Sequence, residues 1–234
     1  DIYLCHSVID YNLIVEKFSE VKCIRIGYPK YENLPSVKYA KNIIYNDFKS
    51  IDKSKQLILW MPTIVGIKGE IIDNINVWLP IITRLLAKYN VLISVHPKLM
   101  VLNPEMTSYL AKLGFLVNMK KARNLSVLYQ ASDLVLCDYG ASVLSAVYMK
   151  KKLILLNSPS EKYINWREER KYVDDDVRKE VSAFNLNDGV DLIKQINNDI
   201  KYNNISKRNS LKERYFGKDC EYKNTKEIFD KLIK

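Results

Sequence analysis

LVLCDYGASVLSAVYMKKKLILL, residues 134–156, holds two runs of four apolar residues separated by a short polar loop and a helical pattern. Neither Leu134 to Cys137 nor Leu153 to Leu156 alternates apolar with polar residues, as a strand with one wet face must. A run that is apolar on both faces belongs to a strand covered on both sides, which is the habit of parallel sheets. Between the runs, Ser142 to Lys150 reads as a helix, so the stretch forms a β-α-β unit.

The same alternation extends upstream. LILWM (Leu57 to Met61), VLISV (Val91 to Val95) and FLV (Phe115 to Val117) are further strand candidates, with IYLC (Ile2 to Cys5) and VKCIRI (Val21 to Ile26) nearer the start. Ile71 to Tyr89 reads as a helix, with Ile75, Leu79, Ile82, Leu85 and Leu86 at helical spacing, and so do Glu105 to Leu113 and Asn124 to Gln130. After Pro159 come a polar, charged stretch to Arg178, a helix at about Asp188 to Lys201 and a terminal helix ending at Leu232. The fold class is α/β, and right-handed crossovers make it a doubly wound, Rossmann-like parallel sheet whose ligands bind beyond the carboxyl ends of the strands. GYPKYENLP (Gly27 to Pro35) has the composition of a linker. The strand-helix-strand piece before it predicts the last unit of a preceding domain, which makes the chain one half of a larger molecule.

Composition narrows the function. Hydrophobic residues at 47% and charged residues at 27% describe an ordinary globular chain rather than a disordered one. The longest apolar stretch, Leu57 to Ile67, is interrupted by Pro62, Thr63 and Gly66, and it falls short of the ~20 residues a spanning helix needs. The start, DIYLCHS, lacks the pattern of a secretory signal. A net charge of +10 favours an anionic partner, among them nucleic acid, acidic lipid and phosphorylated substrates. Cys5, Cys23, Cys137 and Cys220 lie far apart with no C-x-x-C pair, which argues against a zinc site; three of them sit in apolar runs and read as buried free thiols in a reducing cytoplasm.

Three strand ends carry the candidate chemistry: Met61-Pro62-Thr63, Val95-His96-Pro97-Lys98 and Cys137-Asp138-Tyr139-Gly140-Ala141-Ser142. Pro97 biases His96 toward an extended backbone and aims its imidazole off the sheet edge. In the third, Gly140 permits a close backbone approach, and the amides and dipole at the start of the following helix can hold a phosphate. The same residues also suit a purely structural reading, with Ser142 as N-cap and Asp138 as turn former. No G-x-x-x-x-G-K-[ST] and no G-x-G-x-x-G occurs, and Gly140-Ala141-Ser142 lacks the closing glycine of a nucleophile elbow. Asp174, Asp175 and Asp176 read as solvated acidic surface rather than as a metal site.

Taken in order, these segments resemble the CDP-glycerol glycerophosphotransferase family of teichoic-acid and capsule enzymes. GYPKYENL is similar to that family's G-Y-P-R-x-D-x-L linker, LILWMPT to its strand ending in Pro-Thr, VLISVHPK to its strand ending in His-Pro, and CDYGASVLSAVYMKKKLILL to its T-D-Y-S-S segment. Tyr163 to Tyr172 resembles its Tyr and Arg-Gly-Phe-Tyr stretch, and Phe216 to Asp219 its tail motif. Ile64-Val65 stand where the family commonly has Trp-Arg, and Gly140-Ala141 replace a serine pair. The resemblance implies the C-terminal, donor-binding half of a two-domain GT-B transferase, with residues 1–35 as acceptor-side remnant and linker and 36–234 as the nucleotide-donor domain. It implies transfer of a polyol phosphate from a CDP-linked donor such as CDP-glycerol to an acceptor hydroxyl on a polymer or lipid carrier, in cell-wall or capsule synthesis. The place implied is the cytoplasm, peripheral at the inner, anionic face of the membrane, with no cofactor, no metal and no nucleic-acid partner. On this reading His96 stabilises donor phosphate as the catalytic residue, Asp138, Tyr139, Gly140, Ala141 and Ser142 contact phosphate or ribose, and Pro62 and Thr63 wall the nucleotide cleft. Lys98 and Arg167 compensate phosphate charge. A sugar-nucleotide glycosyltransferase or epimerase of the same architecture, and a non-catalytic basic binding module, are the competing readings.

Overall fold

The computed structural model describes residues 2–31, 33–67, 70–120, 123–170, 172–202 and 204–218, together with residues 227 and 230. The chain divides into two compact units, one made of Asp1–Leu34, Val147–Lys150 and Asn204–Lys234, the other of Pro35–Ala146 and Lys151–Asn203.

The first unit opens with β1 (Ile2–Cys5), α1 (Val8–Lys17) and β2 (Lys22–Arg25). Ser7 starts the helix because its hydroxyl accepts the Asp10 amide at 2.9 Å, satisfying one of the donors a helix leaves open. The two strands pair in parallel, Ile2 opposite Lys22 and Cys5 opposite Arg25. Cys5 is buried and Cys23 half-buried, both as free thiols, while Cys220 lies outside the described residues.

The second unit carries the sheet. In chain order it runs α2 (Val37–Asp47), β3 (Leu57–Met61), β4 (Ile64–Ile67), β5 (Glu70–Asp73), α3 (Asn74–Ile82), β6 (Asn90–Ile93), α4 (Pro97–Leu102), α5 (Glu105–Lys112), β7 (Leu116–Val117), α6 (Leu125–Ala131), β8 (Leu134–Cys137), α7 (Ala141–Tyr148), β9 (Leu153–Leu156), α8 (Glu161–Glu168), α9 (Val173–Glu180), β10 (Ser182–Phe184) and α10 (Gly189–Lys201). Beyond it, α11 (Ile205–Phe216) returns to the first unit. The rest of the terminal helix expected to end at Leu232, and Asp219 of the tail motif, lie outside the described residues.

Six strands form one sheet in the order β10-β9-β8-β3-β6-β7, every pair parallel. The apolar runs are covered on both faces as expected: each residue of β8 has 0% exposure. Ile58, Trp60, Val91, Ile93, Leu134 and Leu136, which share one face by the two-residue period of a strand, pack with Trp78 and Ile82 of α3, Leu110 of α5 and Leu192 and Ile196 of α10 in one core cluster. The chain winds outward from β3 through β6 to β7, then returns past β3 to β8 and winds the other way. That reversal, between β3 and β8, is the topological switch point at which doubly wound sheets leave a crevice.

Two expectations need correction. The helix expected from Ile71 starts only at Asn74, because residues 70–73 pair antiparallel with 64–67 as a hairpin hung from the end of β3. It also ends early, passing into a 3₁₀ turn at Thr83–Ala87 after a segment containing Pro80, whose ring removes an amide donor from the helical ladder. The polar stretch after Pro159 is structured, supplying α8, α9 and the edge strand β10.

Candidate functional site

Register fixes where the three strand ends lie. Met61 is opposite Cys137, and Trp60 is opposite Ile93, so β3, β6 and β8 all terminate on one edge with β3 in the middle. Pro62-Thr63, His96 and Asp138 follow those ends. Asp138 and His96 therefore share the edge, their strands two spacings apart, roughly 10 Å.

Asp138 is buried at 2% exposure, and its carboxyl group is fully engaged. It accepts the Thr63 amide at 2.8 and 2.9 Å, the Thr63 hydroxyl at 2.6 Å, the Asn74 side-chain amide at 2.9 Å and the Tyr139 amide at 2.9 Å. Burial pushes its pKa up, and these donors oppose the shift without cancelling it. Asp138 thus ties the β8 end to the β3 end across the switch point and to the first residue of α3. Its oxygens face protein donors.

The loop after it is shaped by carboxylates. Gly140 has φ of 80°, and a β-carbon there would meet nothing within 4 Å, so backbone conformation rather than crowding calls for glycine. Its amide donates to Asp174 at 2.9 Å. The Tyr139 amide is held by Asp138, and the Val143 amide by the Gly140 carbonyl at 3.0 Å. Among the described residues the Ala141 and Ser142 amides have no protein acceptor; they begin α7, with Ala141 exposed and Ser142 half-buried. Ser142 lies inside the first turn rather than at the N-cap, because the helix starts one residue before it; its hydroxyl donates to the Tyr139 carbonyl at 3.2 Å.

His96 adopts the extended backbone expected before proline, with φ −61° and ψ 134°, and caps α4. Its Nδ1 accepts the Lys98 amide at 3.2 Å, so the neutral ring carries its proton on Nε2. Partial desolvation and the nearby Lys98 charge hold its pKa below the usual histidine value. At neutral pH His96 is a neutral donor, exposed on the edge beside exposed Lys98.

Arg167 is placed differently from a residue that meets solvent phosphate. It is 5% exposed, paired with Asp174 at 2.7 Å and Asp175 at 2.8 Å, bonded to the Tyr163 hydroxyl at 3.2 Å, and set over the rings of Tyr139 and Tyr172 at 4.5 Å each. The acidic run is consequently not all solvated surface: Asp174 is 4% exposed, and Arg167 is what neutralises it. Asn74, Asp174 and Arg178 bond to Asp138 and its loop, and Asn157 bonds to Arg178, although sequence reasoning did not single them out for it. Arg178 donates to the Asp138 carbonyl and to the Asn157 side chain, with its guanidinium 4.1 Å from the Tyr139 ring centre. Asn157 carried the one available signal, a polar residue directly after an apolar strand. Among the described residues no group of three or more His, Cys, Asp or Glu side chains converges to hold a metal. No described helix is long and apolar enough to cross a membrane.

The model of the family described as CDP-Glycerol:Poly(glycerophosphate) glycerophosphotransferase matches residues 11–231. No curated protein matches the chain. Among solved structures, that of the wall teichoic acid polymerase TagF aligns with a TM-score of 0.65 at 15% identity, covering 100% of this chain and 57% of that one. A histidine-to-asparagine variant of TagF soaked with CDPG aligns at 0.60 and 15% identity, covering 100% of this chain and 56% of that one. The N-terminal domain of Candida albicans trehalose-6-phosphate phosphatase aligns at 0.51 and 14% identity, with 100% and 58% covered. These likenesses concern the fold, and the chain spans little more than half the length of the polymerase structures.

Proposed function

Since the chain belongs to the CDP-glycerol:poly(glycerophosphate) glycerophosphotransferase family, we propose that its sheet unit binds a CDP-linked polyol phosphate donor, CDP-glycerol or a close relative. The donor supplies its polyol phosphate to an acceptor hydroxyl in cell-surface polymer synthesis at the inner face of the membrane. The acceptor oxygen forms a bond to the donor's β-phosphorus, the bond from that phosphorus to the bridging oxygen breaks, CMP leaves with that oxygen, and the hydroxyl proton is released. Such a transfer depends on positioning and on neutralising phosphate charge.

The observation that carries this reading is the pairing, on one edge at the switch point, of the free Ala141 and Ser142 amides with the His96 Nε2 donor. A helix start with two open amides suits a phosphate oxygen, and a neutral imidazole can donate to another without needing to be protonated. Thr63, held by Asp138, and the buried Pro62 follow the end of β3, the strand between them. Asp138 acts here by fixing Thr63 and Tyr139 rather than by meeting substrate.

Titration calorimetry tests the donor and His96 together. CDP-glycerol is expected to bind in preference to UDP-sugars. His96→Ala is expected to weaken CDP-glycerol roughly tenfold or more, the value of a hydrogen bond of ~1.5–3 kcal/mol to a charged group, while cytidine binds as before. Equal losses for both ligands would remove His96 from the phosphate. Preference for a UDP-sugar would transfer the fold to the glycosyltransferase reading, and a salt-sensitive shift with DNA alone would favour the basic module.

A further inference from the structure

Arg178 sits at the carboxyl edge beside the loop that follows β8, and three contacts fix it. One Nη donates to the main-chain carbonyl of Asp138, the other to Asn157 Oδ1, and the guanidinium lies over the Tyr139 ring with 4.1 Å to its centre. Its Nε is shielded from solvent without a hydrogen-bond partner. All of these partners are neutral. They orient the charge and leave it uncompensated, whereas Arg167 is paired with Asp174 and Asp175, Arg123 with Asp47, and Arg170 with Glu169. Among the described residues no carboxylate pairs with Arg178.

A half-buried cation held by neutral acceptors loses part of its hydration and gains no counter-charge, an arrangement that suits a residue whose anion arrives from outside. A guanidinium has five N–H groups, and two of Arg178's are used by Asp138 and Asn157, so each Nη keeps a hydrogen to give. The Asp138 carbonyl it grips is three residues before the open Ala141 amide. We infer that Arg178 binds a phosphate oxygen of the nucleotide-linked donor, the role that the sequence alone would assign to Arg167, and that the Ala141 and Ser142 amides share the same phosphate. The inference rests on the donor-binding reading above for the identity of the anion, and on Arg178's own geometry for its role.

The test uses the whole chain, with wild type, Arg178→Gln and Arg178→Lys titrated with CDP-glycerol, inorganic pyrophosphate and cytidine, and with melting temperatures taken on the same preparations. Arg178→Gln is expected to weaken both phosphate ligands about tenfold or more and to leave cytidine unchanged, with Arg178→Lys recovering part of the loss. If CDP-glycerol binds wild type and Arg178→Gln equally, the inference is overturned and the donor reading stands. Should wild type bind pyrophosphate, lose it in Arg178→Gln and ignore CDP-glycerol, Arg178 keeps its role and the donor reading fails. Binding of neither ligand to wild type overturns both. A merely structural Arg178 would lower the melting temperature and reduce all three affinities alike, without rescue by lysine; if Arg178→Gln does not fold, Arg178→Lys must still weaken pyrophosphate more than cytidine.

Discussion

Asp138→Ala is expected to lower stability by about 3–5 kcal/mol, several times the effect of a surface substitution. The carboxyl group it removes is the acceptor for the amides of Thr63 and Tyr139 and for the Asn74 side chain. Asn74 is 1% exposed, and its Oδ1 already lacks a partner, so the truncation would leave its amide group without one as well. Each orphaned buried donor costs ~1–3 kcal/mol, reduced where water can enter the space. For a chain of this length about 2–4 °C of melting temperature follows each kcal/mol, so a fall of roughly 10 °C is the result to look for. A loss below ~1 kcal/mol in urea titration would show that the network does not hold the β3 and β8 ends together.

The same carboxyl group gives a pH signature. Burial raises its folded-state pKa above the unfolded value of 3.8. Its protonated form is therefore favoured by folding, and the associated stability is full below the unfolded value and is lost as pH rises through the folded one. The Thr63 hydroxyl fits this, lying 2.6 Å from Asp138 Oδ1 and 3.0 Å from the Tyr139 carbonyl with one proton to give. With a proton on the carboxyl group both contacts become hydrogen bonds. Asp138→Asn does not titrate, so the melting-temperature advantage of wild type over it is expected to shrink as pH rises from the unfolded carboxylate value toward neutrality.

What the sequence reveals of this site depends on how local each cause is. The strands at Leu57, Leu134 and Leu153 are legible because burial on both faces leaves an unbroken apolar run. His96's extended backbone is legible because Pro97 imposes it. The β4–β5 hairpin is hidden because Ile71 and Ile72 continue the helical spacing that Ile75 and Leu79 begin, and only pairing with residues 64–67 removes them from the helix. Strand β10 is three half-buried residues at the sheet edge, too short for a period. Distance in the chain hides the rest. Asn74 and Arg178 reach Asp138 across 64 and 40 residues, and no spacing rule connects them. The acidic run reads as surface until Arg167 and the Gly140 amide are brought to Asp174 by the return of α8 and α9 over the loop.

That return makes Arg167→Met the companion to Asp138→Ala, with a comparable expected loss of about 3–5 kcal/mol. Removing the guanidinium strands the Asp174 carboxylate, 5% exposed at its side chain, with the Gly140 amide as its remaining partner. It also removes the guanidinium from over the rings of Tyr139 and Tyr172. If the cost is mainly the abandoned charge, Asp174→Asn in the Arg167→Met background should restore part of the stability, because a neutral amide in that pocket no longer needs a counter-charge. The coupling between the two positions is then ~1–3 kcal/mol, as for side chains sharing one network. If the cost is mainly lost packing against the tyrosines, the double variant should be no more stable than Arg167→Met. The ligand readout separates this pair from Arg178. Because Arg167 reaches the phosphate-holding loop through Asp174 and the aromatic rings, Asp174→Ala, which frees the Gly140 amide and keeps the guanidinium, is expected to weaken pyrophosphate in the folded fraction as much as Arg167→Met does. A pyrophosphate loss confined to Arg167→Met would instead return Arg167 to direct contact with the phosphate.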